Sequence, residues 1–312
     1  MTAGSADHRR ILESASAWSG APMALATVVE TWKSAPCPVG THMLVHQDGR
    51  FTGSVSGGCV EGDVLEIAAR VIAEDAFALR RYGVADGAAW EVGLPCGGGI
   101  VGLVQNVSPT HFPERLFAAI AGAQAAGKIL LIGSDLKTGA SAVVDSEDGQ
   151  EFVNRYLPPR RLIIVGAVEI AASLCAIARS MGVEVIVVDP RARFLTGERF
   201  PETVLDDRWP DEAIAALRPD ARTAVVTLSH DPKIDDPALA AALETPAAYV
   251  AALGSKTSHA RRLERLAATG IRADRLARIE GPAGIAINAI SAPEIALSIA
   301  GGMVRAFNNG MR

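Results

Sequence analysis

Two cysteines set among glycines carry the reactive chemistry of this chain. One lies in Ser54-Val55-Ser56-Gly57-Gly58-Cys59-Val60-Glu61-Gly62-Asp63, the other in Gly93-Leu94-Pro95-Cys96-Gly97-Gly98-Gly99. The first stretch reads as a strand end, a tight turn and the start of a helix over 60–74. Val60, Val64, Ile67, Ala68 and Val71 fall at helical spacing there. Gly57 and Gly58 free the backbone to bend, so that its N–H groups converge. Cys59 then sits beside a helix N-terminus, where partial positive charge favours a thiolate. A thiolate is a soft metal ligand or a nucleophile, and converging amides suit an anion. The competing reading is two small buried residues in tight turns, a common fate of free cysteine.

Other residues have weaker claims. Cys37 stands in a Pro36-Cys37-Pro38 loop, and Cys175 falls in an apolar helix and is expected in the core. Glu61 reads as a first-turn carboxylate favoured by the helix dipole. His42 and His46 flank a strand with no third ligand at useful spacing. No CxxC or HExxH pattern occurs, so a structural zinc site has no sequence support.

The elements that must position these residues change character along the chain. The first half predicts a helix over 7–18, a buried strand over 21–30, and a hairpin of 43–45 with 51–54 turning at Gln47-Asp48-Gly49. Short strands over 78–82, 88–92 and 100–107 follow the Cys59 helix. A helix over 113–126 and a hairpin of 128–134 with 140–145 come next. Leu157-Pro158-Pro159-Arg160 reads as a linker. Beyond it, apolar strands over 162–165, 183–188, 224–228 and 247–253 alternate with helices, the last over 293–307. The expected fold class is α/β: a small N-terminal α+β module over 1–157, then a Rossmann-like doubly wound parallel-sheet domain over 158–312.

That second domain offers a dinucleotide turn with a defect. In Gly166-Ala167-Val168-Glu169-Ile170-Ala171, Gly166 fits the first fingerprint position and Ala171 the third. Val168 occupies the second, where the backbone comes closest to phosphate, and Glu169 adds negative charge. Tight NAD(P) binding is therefore not expected, although Asp189 lies about 20 residues on, where a ribose-binding acid belongs. His230 and Asp231 end a strand at the edge where open sheets bind ligands. Asp231, Lys233, Asp235 and Asp236 can hold a phosphate or a metal there. The alternative is that Asp236 caps a helix starting at Pro237. Ser255-Lys256 opens another helix, with an ordinary N-cap as its simpler reading.

Composition excludes several classes. The 312 residues are 49% hydrophobic and 21% charged, and the formal charge is −5 with a pI near 5.7. Nucleic acid is thus not the expected partner, and Arg261-Arg262 reads as a solvated helix face. No apolar run reaches the roughly 18 residues of a membrane helix. The polar start does not read as a signal peptide, and with four cysteines the expectation is a cytoplasmic protein with reduced thiols.

Several ordered blocks together resemble the XdhC/CoxI family, accessory proteins of molybdenum-dependent xanthine and carbon monoxide dehydrogenases. They are Gly53-Ser54-Val55-Ser56-Gly57-Gly58-Cys59-Val60-Glu61, Gly93-Leu94-Pro95-Cys96-Gly97-Gly98, Val188-Asp189-Pro190-Arg191 and Glu198-Arg199-Phe200-Pro201. Ser229-His230-Asp231-Pro232-Lys233, Ala252-Leu253-Gly254-Ser255-Lys256, Gly281-Pro282-Ala283-Gly284 and Ser291-Ala292-Pro293-Glu294-Ile295-Ala296 complete the set. The chain departs from the family at Val168-Glu169, where a Gly-His pair is usual, and at Ala286 and Asn288, where Asp and Gly are. The resemblance implies a chaperone that binds molybdenum cofactor, holds it during sulfuration and passes it to a molybdenum hydroxylase client. A cysteine desulfurase and a second copy of the chain are further implied partners. Cys59 is then the metal contact and Cys96 a second one. The amides of Gly57, Gly58, Gly97 and Gly98 hold oxo or phosphate oxygens, with Gly166, Asp189, His230 and Asp231 on the nucleotide side. Competing functions are an NAD(P)-dependent oxidoreductase on the second domain and a sulfur-transfer enzyme carrying persulfide on Cys59.

Overall fold

Residues 5–83 and 98–309 are described by the computed structural model. The chain divides into two units, Met1–Pro158 and Pro159–Arg312. The strand expected over 88–92, and Cys96 and Gly97 with it, lie outside the described residues.

The first unit opens with helix α1 (Ser5–Ala17), then strands β1 (Met23–Trp32), β2 (His42–His46) and β3 (Phe51–Gly53). Helix α2 (Glu61–Glu74), strands β4 (Phe77–Tyr82) and β5 (Gly99–Asn106), and helix α3 (Arg115–Ala125) follow. These strands form one antiparallel sheet in the order β3-β2-β1-β5-β4. Strand β1 shows why the sheet is covered on both faces. Ala24, Ala26 and Val28 point to the side where Val64, Ile67, Ala68 and Val71 of α2 pack. Met23 and Leu25 point to the other, against Ile11 of α1 and Leu116, Phe117 and Ile120 of α3. The sequence shows the hairpin of β6 (Leu130–Ser134) with β7 (Ser141–Val144). It hides a third strand, β8 (Phe152–Tyr156), which pairs with the far side of β6.

A polar network ties that small sheet to the large one. Thr27 Oγ1 and His42 Nδ1 lie 2.9 Å apart, and His42 Nε2 lies 2.9 Å from Tyr156 Oη and 3.0 Å from Asn154 Nδ2. His8 of α1 lies tilted against both rings, 5.3 Å from His42 and 5.0 Å from Tyr156 between centroids. Burial, and then the neighbouring His8, hold the His42 pKa well below the ordinary histidine value. Below pH about 6.5 the unfolded chain takes up a proton that folded His42 refuses. Stability of this unit is therefore expected to fall as pH drops from about 6.5 toward the folded pKa. Urea titrations at pH 7 and pH 5 check it, and His42→Gln should shallow that decline.

The second unit begins with β9 (Arg161–Val165), α4 (Glu169–Ser180), β10 (Glu184–Val188), β11 (Val204–Asp206), α5 (Pro210–Leu217) and β12 (Thr223–Thr227). It continues with α6 (Pro232–Leu243), β13 (Tyr249–Ala252), α7 (Lys256–Ala268), α8 (Ala273–Leu276), β14 (Ile279–Glu280) and α9 (Ala292–Asn309). All six strands are parallel, in the order β11-β10-β9-β12-β13-β14. This is the Rossmann order, with its topological switch between β9 and β12. Leu162 and Ile164 of β9 belong to the core layer under α4 and α9, Ile163 and Val165 to the layer under α5 and α6. Burial on both faces explains the unbroken apolar strands. The two edge strands escape sequence reading because they span only three and two residues. Helix α6 starts at Pro232 rather than Pro237, since proline suits a first helical position whose N–H has no partner anyway.

A candidate thiol site on the first unit and a braced turn on the second

The topology of the first sheet gathers two described loops at one end. Strands β1, β3 and β4 all finish there, and β2 and β5 begin there, because each neighbouring pair is antiparallel. The loop with Cys37 leaves from β1, and the turn with Cys59 leaves from β3. The end of β4 at Tyr82 and the start of β5 at Gly99 also lie here. Trp32, the last residue of β1, lies where a side chain at Gly83 or Gly99 would stand. Arg81 covers the same indole at 4.5 Å from the ring centroid.

The Cys59 turn is held by one carboxylate. Val55 and Val60, each 1% exposed, anchor its two ends in the core shared with α2. Between them Gly57 and Gly58 take φ of 72° and 111°, backbone that other residues rarely adopt. Glu61, the first residue of α2, turns back under the bend. Its Oε1 accepts from Ser54 Oγ at 2.5 Å, Val55 N–H at 3.2 Å and Ser56 N–H at 2.9 Å. Its Oε2 accepts from Ser56 Oγ at 2.6 Å, Gly58 N–H at 2.9 Å and Val60 N–H at 3.2 Å. Burial raises the pKa of this carboxyl. The hydrogen bonds from Ser54 and Ser56 outweigh burial and bring it to about 2. Glu61 is only 8% exposed, whereas Cys59 on the crown of the turn is exposed.

These contacts correct the expectation for the glycine amides. Gly58 N–H is engaged by Glu61 and Gly57 N–H by Ser54 Oγ at 2.8 Å, so neither is free for a ligand oxygen. Gly98 is buried, its α-carbon against the backbone of Ser34 and Ala35. Cys37 is half-buried and donates its thiol to the Ser54 carbonyl at 3.9 Å. Cys175 is 3% exposed in the second unit, and burial pushes its thiol up to about 11. Among the described residues no group of three or more His, Cys, Asp or Glu is placed to hold a metal ion.

At the carboxyl edge of the second sheet, Asp189 has a different task from the one its position implies. It is fully buried. Oδ2 accepts from Ala167 N–H at 2.8 Å and Arg191 Nη2 at 2.8 Å, and Oδ1 from Arg191 N–H and Nε at 2.9 Å. Burial opposes ionisation, but Arg191 and the Ala167 amide prevail and keep the pKa below the ordinary value. The carboxylate braces the Gly166 turn from inside and does not face a ribose. Position 166 calls for glycine twice over, since its φ is 108° and a Cβ there would meet the Ser229 backbone at 2.7 Å.

The acidic cluster after β12 also divides. His230 is exposed with φ of 62°. Asp231 caps α6 by accepting Lys233 N–H at 2.9 Å, so Asp231 and not Asp236 is the cap. Asp235 is 1% exposed and accepts from Ser229 Oγ at 2.6 Å. Asp236 pairs with Arg265 at 2.6 Å. The four side chains thus do not converge on a metal. Arg262 does not lie on a solvated face either. It is 5% exposed, donates to the Leu253 carbonyl at 2.8 Å and stands 3.9 Å from Asp235. Its spacing from buried Leu266, one turn on, is the signal that places it inward. Ser255 is a plain N-cap, accepting Ser258 N–H at 3.1 Å. Glu61 is the site residue that sequence reading undervalued. The two serines around a glycine pair, followed by a carboxylate in the first helical turn, are its trace in the sequence.

Known proteins share both units. A family profile described as the XdhC Rossmann domain matches residues 162–303, and one described as the XdhC and CoxI family matches 17–83. The molybdenum cofactor insertion chaperone PaoD of Escherichia coli K12 is 30% identical over 304 residues, which cover 94% of this chain and 86% of PaoD. A probable xanthine dehydrogenase component of Bacillus subtilis 168 is 26% identical, covering 88% and 90% respectively. A crystal structure of a xanthine dehydrogenase from Bacillus halodurans shares the fold, with a TM-score of 0.83 at 24% identity over 99% of this chain and 96% of that one.

Proposed function

The chain belongs to the XdhC and CoxI family, and on that premise we propose that it holds molybdenum cofactor and delivers it to a molybdenum hydroxylase such as xanthine dehydrogenase. The relative named as a molybdenum cofactor insertion chaperone supports the cargo. The observation that carries the role of this chain's own residues is an exposed thiol on a pinned turn. The cargo brings its own dithiolene sulfurs to the metal, so a carrier needs to supply only one further soft donor. Cys59 is that donor. Its side chain is exposed while the backbone beneath it is fixed, which suits a ligand that must bind cargo and later release it. Cys96 belongs to this reading on sequence grounds alone. The second unit, taken by itself, presents a sheet edge with exposed His230 and the half-exposed Arg191 guanidinium. With Asp189 turned inward, a nicotinamide-dependent oxidoreductase loses the acid that would bind ribose. Among the described residues no helix is long and apolar enough to cross a membrane.

The test is molybdenum and pterin content of the protein made in a host that synthesises the cofactor. About one equivalent of each per chain is expected on gentle isolation. Absence of both would sink the carrier. A mass gain of one sulfur on Cys59 after exposure to a cysteine desulfurase would instead assign the protein to sulfur transfer.

A further inference from the structure

We infer that Glu61, acting through the Ser56 hydroxyl, is the positioning residue that sets where Cys59 is presented; the inference rests on the carrier role of Cys59. The carboxylate of Glu61 can only accept, so the short contact to Ser56 Oγ at 2.6 Å fixes the serine proton on the glutamate side. The lone pairs of Ser56 Oγ then face the other way. They accept Cys59 N–H and Val60 N–H, both at 2.9 Å. The backbone amide of Cys59 is thus two hydrogen bonds from a buried charge. The same carboxylate takes Val55, Ser56 and Gly58 amides, so both limbs of the turn are drawn to one point. Nothing else in the turn can do this. The glycine pair has no side chains, and Ser54 spends its hydroxyl on Glu61 while accepting from Gly57 N–H.

The chemistry makes Glu61→Gln informative. Glutamine has the same volume, but one of its two terminal atoms is an NH2 that donates and cannot accept. Whichever way it sits, donors face donors. If the amide takes the Oε2 place, Gly58 N–H loses its acceptor and Val60 N–H keeps only Ser56 Oγ. Ser56 Oγ must then turn to accept from it, and gives up Cys59 or Val60. A glutamate that served only to complement the helix dipole would be replaced by glutamine with little consequence, since that interaction is weak and does not depend on which atoms accept.

The experiment is hydrogen exchange on the full chain, together with molybdenum and pterin retention, for wild type, Glu61→Gln, Ser56→Ala and Cys59→Ala. Exchange at the Ser56, Gly58, Cys59 and Val60 amides should quicken about tenfold or more in Glu61→Gln. Amides of β1 and β5 should stay protected, which shows that the unit is folded. Ser56→Ala should quicken Cys59 and Val60 more than Val55. Both variants should lose cargo about tenfold, whereas Cys59→Ala keeps the protected turn. Unchanged exchange in Glu61→Gln overturns the inference, as does a loosened turn that retains cargo like wild type. If Cys59→Ala retains cargo, the carrier role of Cys59 fails instead, and the exchange pattern separates the two failures.

Discussion

Cys59→Ala is expected to lower bound molybdenum and pterin by about tenfold or more, with no measurable change in folding. The two halves of that expectation have separate causes. The Cys59 side chain is exposed, and it is the backbone N–H of this residue, not the thiol, that bonds to Ser56. Truncation therefore removes no packing and orphans no buried group, which keeps the stability change within about 0.5 kcal/mol. Loss of the sulfur–metal contact proposed for Cys59 would be a much larger effect, because alanine offers no donor at all. Metal analysis and pterin fluorescence of the isolated variant, beside a thermal unfolding curve, check both halves. Cys175→Ala is the useful contrast. That thiol is 3% exposed on the buried face of α4, within the core it shares with α9, so its removal should cost stability and leave cargo in place.

Asp189→Ala is expected to destabilise the second unit by about 3 kcal/mol, a fall of about 6–12 °C in its unfolding temperature. Four hydrogen bonds converge on this carboxylate, from the Ala167 amide, the Arg191 amide and two Arg191 guanidinium nitrogens. Arg191 is partly exposed and can turn to water, so its loss is modest. The larger cost lies at Ala167, which is 3% exposed and whose N–H would be stranded beside the Gly166 bend. A ribose-binding acid would behave in the opposite way, with stability untouched and ligand affinity lost. The pH dependence has a fixed sign. The folded pKa is depressed, so the contribution of Asp189 is present above the ordinary carboxylate value near 3.8. It is lost as pH falls below that value toward the folded pKa. Unfolding curves of wild type and Asp189→Ala should converge in that range. Calorimetry that resolves the transition of Pro159–Arg312 measures it.

Glu61 obeys the same rule. Its stabilisation is complete above about 4.5 and is lost as pH falls toward its folded value of about 2. The Cys59 turn is therefore more resistant to acid than the His42 network beneath the same sheet, which weakens from about 6.5 downward.

Legibility in the sequence followed the range of the interactions. The amphipathic helix after Cys59 and the unbroken apolar strands β9, β10, β12 and β13 could be read because period and composition are local properties. Family membership was readable for a similar reason, since the motif blocks keep their order whatever they touch. Asp189 shows the limit. Its place along the chain matches a ribose acid, yet its side chain points into the fold, and the partner that turns it is an arginine only two residues away. Arg262 is the reverse case, a charge in an arginine pair whose spacing from Leu266 hints at an inward face, but whose partner, the Leu253 carbonyl, only the packing of α7 supplies.

By itself the sequence determined the family, the parallel sheet and the presence of a cysteine at a strand–turn–helix junction. Turn residues, apolar period and motif order specify these without reference to anything distant. The tertiary structure alone decided which polar atoms meet. Whether Gly58 offers its N–H to cargo or to Glu61, and whether Asp189 faces solvent or the Gly166 bend, depends on side-chain direction and burial. A buried hydrogen-bond donor must find an acceptor wherever packing places one, and that pairing is a property of the assembled fold.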